Sequence, residues 1–201
     1  MGNRFAEIAF TPAVQAQQVV HGSRDSYRRF SEGEPWNDRL SDKERAFIGA
    51  RDGFYLASVS ETSWPYVQFR GGAPGFLRVL DESTLGWADF RGNRQYVSVG
   101  NVTGRDRVAL ILMDYANRKR LKIFGHAEFR AVGADDDLAA RLAIPGYDAV
   151  IERAVVVRIA GFDWNCPQHI TPRFTPEEVE RTVKPLRDRV AELEGKLARQ
   201  R

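Results

Sequence analysis

A chain of 201 residues, with 43% hydrophobic and 28% charged residues, has the composition of a globular domain with a tail. Its formal net charge of +3 is too small to indicate nucleic-acid binding, and its one cysteine, Cys166, excludes an intramolecular disulfide. The three histidines lack the spacing of metal ligands, so no metal site is expected. No apolar run approaches the roughly 20 residues that cross a bilayer, and the first residues lack a signal-peptide pattern. We therefore expect a cytoplasmic protein that does not associate with a membrane.

Residues 1–40 are expected to form a helix and a surface segment. Thr11 followed by Pro12 has the pattern of an N-cap with proline at the first helical position. Gly33 and Pro35 interrupt the polar stretch that comes after this helix.

Residues 41–174 are expected to form the main domain. Ser41 and Glu44 have the spacing of a capping box at the start of another helix. Strand-like runs with mostly short connections then follow, and we count about six, which favours an antiparallel barrel over a doubly wound sheet. In one of these runs, Asp106 to Asp114, the residues that point to either face of the strand are mostly apolar. We therefore expect this strand to be buried on two faces.

Two similar Arg/Gly elements flank the strand-like runs in the middle of this domain. They read Arg70-Gly71-Gly72 and Arg91-Gly92-Asn93-Arg94. Glycine allows a ligand to approach the backbone closely, and arginine offers a fixed fork of donors to an oxyanion. The pattern predicts a phosphorylated ligand at strand ends. A helix beginning near Asn93 would add free backbone N–H groups to such a site.

Residues 175–201 are expected to form an amphipathic helix. Thr175 and Pro176 are a strong helix start. Apolar residues then recur at heptad spacing, at Val179, Val183, Leu186, Val190, Leu193 and Leu197. Pro185 should kink or divide the helix. The apolar stripe packs either on its own barrel or on a second subunit.

The order of these motifs resembles a known family. A Phe54–Ser58 strand is followed by a proline that precedes Arg70-Gly71-Gly72 by five residues, then by Phe76–Glu82 and Gly92-Asn93-Arg94. From about Asp42 to Phe174 the chain is similar to the pyridoxamine 5'-phosphate oxidase-like, FMN-binding split-barrel proteins. It is most similar to the branch called predicted flavin-nucleotide-binding proteins. The resemblance implies a mainly β (α+β) fold, a six-stranded antiparallel split β-barrel with peripheral helices and a C-terminal helix. It also implies a homodimer with FMN at the subunit interface.

The resemblance implies the cofactor contacts as well. The strand along the isoalloxazine would be Val67, Gln68, Phe69, Arg70 and Gly71. Backbone contacts would come from Trp87, Ala88 and Asp89, and the phosphate would be held by Asn93, Arg94 and Gln95. Arg120 would reach the flavin from a later strand, and Trp164 and Arg173 would come from the partner subunit.

Two departures from the family bear on activity. Gln95 stands where lysine is common, so one charge is missing. The Arg-x-His motif that binds the substrate phosphate in the oxidase has no arginine in the matching stretch, near Gln168 to Pro172. Pyridoxamine 5'-phosphate oxidase activity is therefore not expected.

Three functions are consistent with these residues. The first is an FMN-dependent oxidoreductase acting on an unknown small substrate, with NAD(P)H as a possible electron donor and no identified catalytic side chain. The second is a flavin-binding or flavin-sensing module without turnover. The third is a split barrel that binds deazaflavin or haem, for which His126 or His169 could serve as a ligand.

Overall fold

A computed structural model describes residues 2–28, 36–131 and 136–199. The expected break at Gly33 and Pro35 lies outside the described residues. The elements in chain order are α1 Arg4–Ala9, α2 Pro12–Val20, α3 Arg24–Arg28, α4 Asp42–Gly49, β1 Gly53–Val59, β2 Pro65–Gly71, β3 Arg78–Val79, β4 Thr84–Phe90, α5 Val97–Gly104, β5 Arg107–Asp114, β6 Lys119–Ala131, α6 Asp136–Leu142, β7 Ile151–Trp164 and α7 Pro176–Ala198.

All described strands join one sheet in the order β2-β1-β5-β6-β7-β4-β3. The registers of β1 with β2 and β5, of β7 with β4 and β6, and of β3 with β4 are antiparallel. The mainly β, antiparallel prediction is therefore confirmed, and the strand count of six is corrected to seven. The shortest strand is β3, which pairs with β4 over Arg78 and Val79 only.

The sheet curls so that strands near its two ends meet. β2 is one edge and β4 lies next to the other edge. Nevertheless, the Arg70 guanidinium on β2 lies 2.7 Å from the Asp89 carboxylate on β4. Ser98 on α5 also donates a hydrogen bond of 3.2 Å to the side-chain oxygen of Gln68 on β2. Such an approach of distant strands is the geometry of a barrel.

β5 is buried on one face only, which corrects the prediction of two buried faces. Leu110 and Leu112 are fully buried in the core. Ile111, which points to the other face, is 40% exposed. It pairs with Tyr55 on β1, and Tyr55 in turn pairs with Phe69 on β2. These three residues, together with Val67, form what we call the outer apolar face.

Local sequence signals set several helix starts. Thr11 accepts a hydrogen bond from the Val14 N–H, and the capping box of Ser41 and Glu44 is formed as predicted. α1 lies against β7 so closely that a Cβ on Gly161 would come within 2.7 Å of the Phe5 nitrogen. Glycine is therefore required there for helix and strand to touch.

The chain forms two compact units. The first comprises Met1–Met113 and Arg120–Cys166, and the second comprises Asp114–Lys119 and Pro167–Arg201. The second unit contains α7, none of whose residues is buried. α7 is continuous through Pro185, so of the two predicted outcomes, a kink or a division, the division does not occur. The carbonyl that loses its partner is that of the exposed Arg181, where water can satisfy it. Among the described residues, no helix is long and apolar enough to cross a membrane.

Candidate functional site

A cavity of about 180 Å³ lies where β2, the turn after β4, the start of α5 and the start of β7 come together. Its lining includes these predicted site residues: Gln68, Arg70, Asp89, Asn93, Arg94 and Gln95. The curl of the sheet thus brings residues from three separate predicted segments to one place.

Asp89 is the buried anchor of this cavity. Its carboxylate is 3% exposed and lies between two guanidinium groups, 2.7 Å from Arg70 and 3.0 Å from Arg153. The register of β4 with β7 places Asp89 directly opposite Arg153. Charge-assisted hydrogen bonds in a buried setting fix the orientation of both arginines. Arg70 keeps one buried donor, Nε, with no hydrogen-bond partner among the described residues.

The Glu152 carboxylate links two further arginine contacts and a tyrosine hydroxyl at the cavity. Its carboxylate lies 3.0 Å from Arg91 Nε and 2.9 Å from Arg153 Nη2, and it accepts a hydrogen bond of 3.3 Å from the Tyr96 hydroxyl. The hydrogen bond from Arg91, followed by that from Tyr96, lowers the pKa of Glu152. The Arg153 guanidinium also stacks over the Tyr96 ring, 4.8 Å from its centroid. A continuous network therefore surrounds the cavity.

The turn before α5 differs from the prediction. The helix begins at Val97 and not near Asn93. The Asn93 side chain accepts a hydrogen bond from the Gln95 N–H, and Arg94 and Tyr96 both have left-handed φ angles, 62° and 56°. Asparagine competes with helical hydrogen bonding in this way, which keeps the segment in a turn. The result is an exposed loop that projects Arg94 at the cavity.

Arg94 is the least committed cation in this group. Its hydrogen bond with the Tyr96 hydroxyl raises the pKa of its guanidinium, which stays protonated. Among the residues that the structure describes, no carboxylate lies within ion-pair distance of it. Arg94 is therefore available to an anionic ligand.

The glycines of the two Arg/Gly elements have different surroundings. A Cβ on Gly71 would lie 2.8 Å from the Phe69 ring, and a Cβ on Gly72 would lie 2.7 Å from the Phe76 ring. A Cβ on Gly92 would meet no atom within 4 Å. The prediction that glycines admit a ligand therefore fits Gly92, while Gly71 and Gly72 accommodate aromatic rings of the same chain.

Other predicted contacts lie elsewhere in the first unit. Trp87 and Ala88 are buried in the interior, at 1% and 2% exposure, so only their backbone could meet a ligand. Val67 and Phe69 lie on the outer apolar face, at 60% and 58% exposure. None of these four residues lines the cavity.

Trp164 and Arg120 lie at a different place on the barrel. The Trp164 indole donates a hydrogen bond of 2.7 Å to Glu44 and packs edge-on against Phe47. Burial raises the pKa of Glu44, but hydrogen bonds from Ser41 and Trp164 outweigh it, so the pKa is lowered. Arg120 donates to the Cys166 carbonyl at 3.4 Å. Neither Trp164 nor Arg120 lines the cavity.

Arg173 belongs to the second unit. There its guanidinium lies over the Tyr115 ring, 5.0 Å from the centroid.

Sequence reasoning missed Tyr96, Glu152 and Arg153. The signal is weak, because a Glu-Arg pair at the start of a strand is ordinary in sequence. Its meaning follows from the strand order, which sets β7 beside β4 and Arg153 beside Asp89.

Comparisons with known proteins define the fold. The sequence matches no family model and no curated protein. Among solved structures, HupZ of Group A Streptococcus has a TM-score of 0.51 and 13% identity, over 67% of this chain and 99% of that one. A putative pyridoxamine 5'-phosphate oxidase from Lactobacillus delbrueckii is 22% identical over 63% of this chain and 94% of its own, with a TM-score of 0.47. An FMN-binding protein from Syntrophomonas wolfei is 15% identical over 74% and 97%, with a TM-score of 0.46.

At these identities the similarity concerns the fold. The chain has a fold similar to that of HupZ, and a putative pyridoxamine 5'-phosphate oxidase is among the matched structures, in agreement with the resemblance predicted from the sequence.

Proposed function

We propose that this chain binds FMN through a phosphate site at the cavity, as a homodimer, and uses the flavin as an oxidoreductase. The observation that carries the proposal is the charge arrangement. Arg70, Arg94 and Arg153 line one cavity with two carboxylates, and both carboxylates are engaged with Arg70 or Arg153. Arg94 then supplies the excess positive charge that a phosphate near the dianion form requires.

The donor set fits a terminal phosphate. Arg94 can form charge-assisted hydrogen bonds, the buried Nε of Arg70 has no partner among the described residues, and Gly92 leaves open space beside the backbone. The cavity of about 180 Å³ is small against the roughly 300–1,000 Å³ of ordinary cofactor sites. It suits the phosphate end of FMN, and the rest of the molecule needs further protein surface.

The outer apolar face supports a second copy as the source of that surface. Tyr55, Val67, Phe69 and Ile111 are direct or diagonal neighbours across three strands, and each is 39–60% exposed. A contiguous apolar patch of this kind marks an interaction site in a folded protein. Trp164 and Arg173 of the second copy would then complete the flavin site, as the family resemblance implies.

Bound FMN would supply hydride or electron transfer, with NAD(P)H as a candidate electron donor. The protein residues bind and orient. Asp89 holds Arg70 and Arg153 in place, Glu152 holds Arg91 and Tyr96, and Arg94 engages the phosphate.

The first test is the visible spectrum of the purified protein and its titration with FMN and FAD. We expect flavin absorption bands and much weaker affinity for FAD, because the loop closes on a terminal phosphate and leaves no room for an adenylate. Equal affinities would contradict the phosphate site. Anaerobic addition of NADH or NADPH then separates an enzyme, whose flavin bleaches, from a binding module, whose flavin does not.

The second test asks whether the site is shared between two chains. Arg94→Ala and Trp164→Leu are each expected to weaken FMN binding in a homodimer. In a heterodimer made by co-expression, one of the two sites would carry both substitutions and the other neither. Recovery of flavin in the heterodimer is the expected result, and a heterodimer without flavin would show that each chain builds its own site.

A further inference from the structure

α7 presents an apolar stripe of six residues, of which five are exposed and Val183 is half-buried. The helix has 23 residues and none of them is buried. Val179, Leu186, Val190, Leu193 and Leu197 are each 43–66% exposed. We propose that α7 forms a parallel two-stranded coiled coil with α7 of a second copy of this chain. This inference deepens the proposed homodimer and is independent of flavin binding.

The residue types at the seam favour two parallel strands. The 4-3-4-3-4 spacing sets Val183, Val190 and Leu197 at a positions and Val179, Leu186 and Leu193 at d positions. β-branched residues at a with leucine at d favour parallel dimers over higher oligomers. Two of the three a positions are valine and two of the three d positions are leucine. Among parallel arrangements the pattern therefore favours two helices.

The charges beside the seam agree with the parallel arrangement. In a parallel coil, a g residue faces the e residue five positions later on the other helix. Arg189 is at g and Glu194 is at e. Each Arg189 would thus face Glu194 of the second copy. Because the dimer has two-fold symmetry, this ion pair would form twice. A second g–e pair, Thr182 with Arg187, contains only one charged residue and so adds neither attraction nor repulsion.

The antiparallel arrangement sets like charges together. If all six apolar residues are to be paired, Val183 must face Leu193 and Leu186 must face Val190 of the second copy. That register places Arg187 beside Arg187, Arg189 beside Arg189, and Glu180 beside Glu194. Like charges in such positions are destabilising, so the charges select against this alternative.

Pro185 is compatible with the coil because of its position. It occupies c, on the outer side of the helix, and α7 continues through it. Lys184 and Asp188, at b and f, form an ion pair of 3.1 Å on the same outer side. The seam itself contains neither proline nor charge.

Three heptads are short for a coil that forms alone. A barrel dimer would hold the two helices at an effective concentration in the millimolar range, which converts a weak pairing into a stable one.

Disulfide trapping tests the direction of the helices in the full chain. Cys166 is exposed and is first changed to serine. In that background, Leu197→Cys sets two cysteines at the same a layer of a parallel coil, within disulfide reach. In the antiparallel register the same two positions would be about 27 Å apart. Asp188→Cys, on the outer side, is the matched control.

We expect mild oxidation to convert Leu197→Cys to a covalent dimer and to leave the Asp188→Cys variant mostly monomeric on a denaturing gel. Adding Glu194→Arg to Leu197→Cys should lower the yield, and adding Arg189→Glu as well should restore it. Equal yields for Leu197→Cys and Asp188→Cys, or a higher yield with Glu194→Arg alone, would overturn the proposal. Flavin absorbance of the same samples reports separately on the cofactor site, so the two proposals fail independently.

Discussion

The two Arg/Gly elements look alike in sequence and serve different purposes in the structure. The first, Arg70-Gly71-Gly72, is tightly packed: its arginine is held by Asp89 and its glycines lie against Phe69 and Phe76. The second, Arg91-Gly92-Asn93-Arg94, is an exposed loop with open space beside its glycine. Arg70 of the first element is part of the buried wall of the cavity, and the second element is its exposed rim.

This difference follows from position in the sheet. The first element ends the pairing of the edge strand β2 with β1, in which Gly53 and Gly71 lie opposite each other and both contact the Phe69 ring. The second element follows β4 and leads into α5, where the Asn93 side chain holds a turn. Substitutions should therefore affect stability at the first element and ligand affinity at the second.

Asp89→Asn should have the largest effect on stability. Asp89 is 3% exposed and its two arginines are 16% and 20% exposed, so the substitution leaves Arg70 without a counter-charge and Arg153 with Glu152 alone. Removing one partner of a buried ion pair costs about 3–5 kcal/mol, and the amide retains part of the hydrogen bonding. We expect a loss of about 3 kcal/mol in the free energy of unfolding, measured with urea.

Asp163→Asn is the matched control for that experiment. Asp163 pairs with Lys122 at 3.1 Å, and both side chains are more than a quarter exposed. Exposed pairs contribute roughly 0–1 kcal/mol. Similar losses for the two variants would show that Asp89 does not anchor the cavity.

Arg94→Ala should have a large effect on affinity and a small one on stability. Arg94 is fully exposed in the loop, so its removal leaves no cavity in the core. Loss of a charge-assisted phosphate contact should raise the FMN dissociation constant about tenfold or more. Arg107→Ala, an exposed arginine on β5 that lines a different groove, is the control. If both variants bind FMN as the wild type does, the phosphate assignment is wrong.

The fold was predictable because its signals are local. Thr11, Ser41 with Glu44, and Thr175 set helix starts through side chains within three residues of each other, and alternation of apolar residues marks the strands. The strand-like run Phe76 to Leu80 contains β3, although only Arg78 and Val79 of that run pair with β4.

The candidate site was predictable only in part because it is assembled by strand order. Arg70 and Asp89 were found through the family resemblance, yet Arg153 comes from a strand 64 residues after Asp89. No local pattern indicates that β7 lies beside β4. The exposure of Ile111 could not be predicted from the sequence either. A strand with apolar residues on both faces has the same sequence pattern whether its second face is covered by its own chain or by another one.

Protonation of Glu152 at low pH should destabilise the charged network at the rim of the cavity. Hydrogen bonds from Arg91 and Tyr96 and the charge of Arg153 hold the pKa of Glu152 below its ordinary value of about 4.3. Its contribution to stability is therefore present above about pH 4.3 and is lost as the pH falls through the lowered value. In urea unfolding between pH 7 and pH 3, the wild type should lose more stability than Glu152→Gln. Parallel curves for the two proteins would remove Glu152 from the network.

Gly92→Ala should produce the smallest change in stability and the clearest contrast with the first element. A Cβ on Gly92 meets nothing within 4 Å and the residue needs no left-handed backbone, so the free energy of unfolding should change by less than about 0.5 kcal/mol. Gly72→Ala instead pushes a Cβ to 2.7 Å from the ring of Phe76, which is 2% exposed, and such overpacking costs roughly 1–3 kcal/mol. Because Gly92 lines the cavity, its new methyl group should still weaken FMN binding. Unfolding and FMN titration of both variants measure this, and unchanged affinity for Gly92→Ala would mean that the ligand keeps away from the rim.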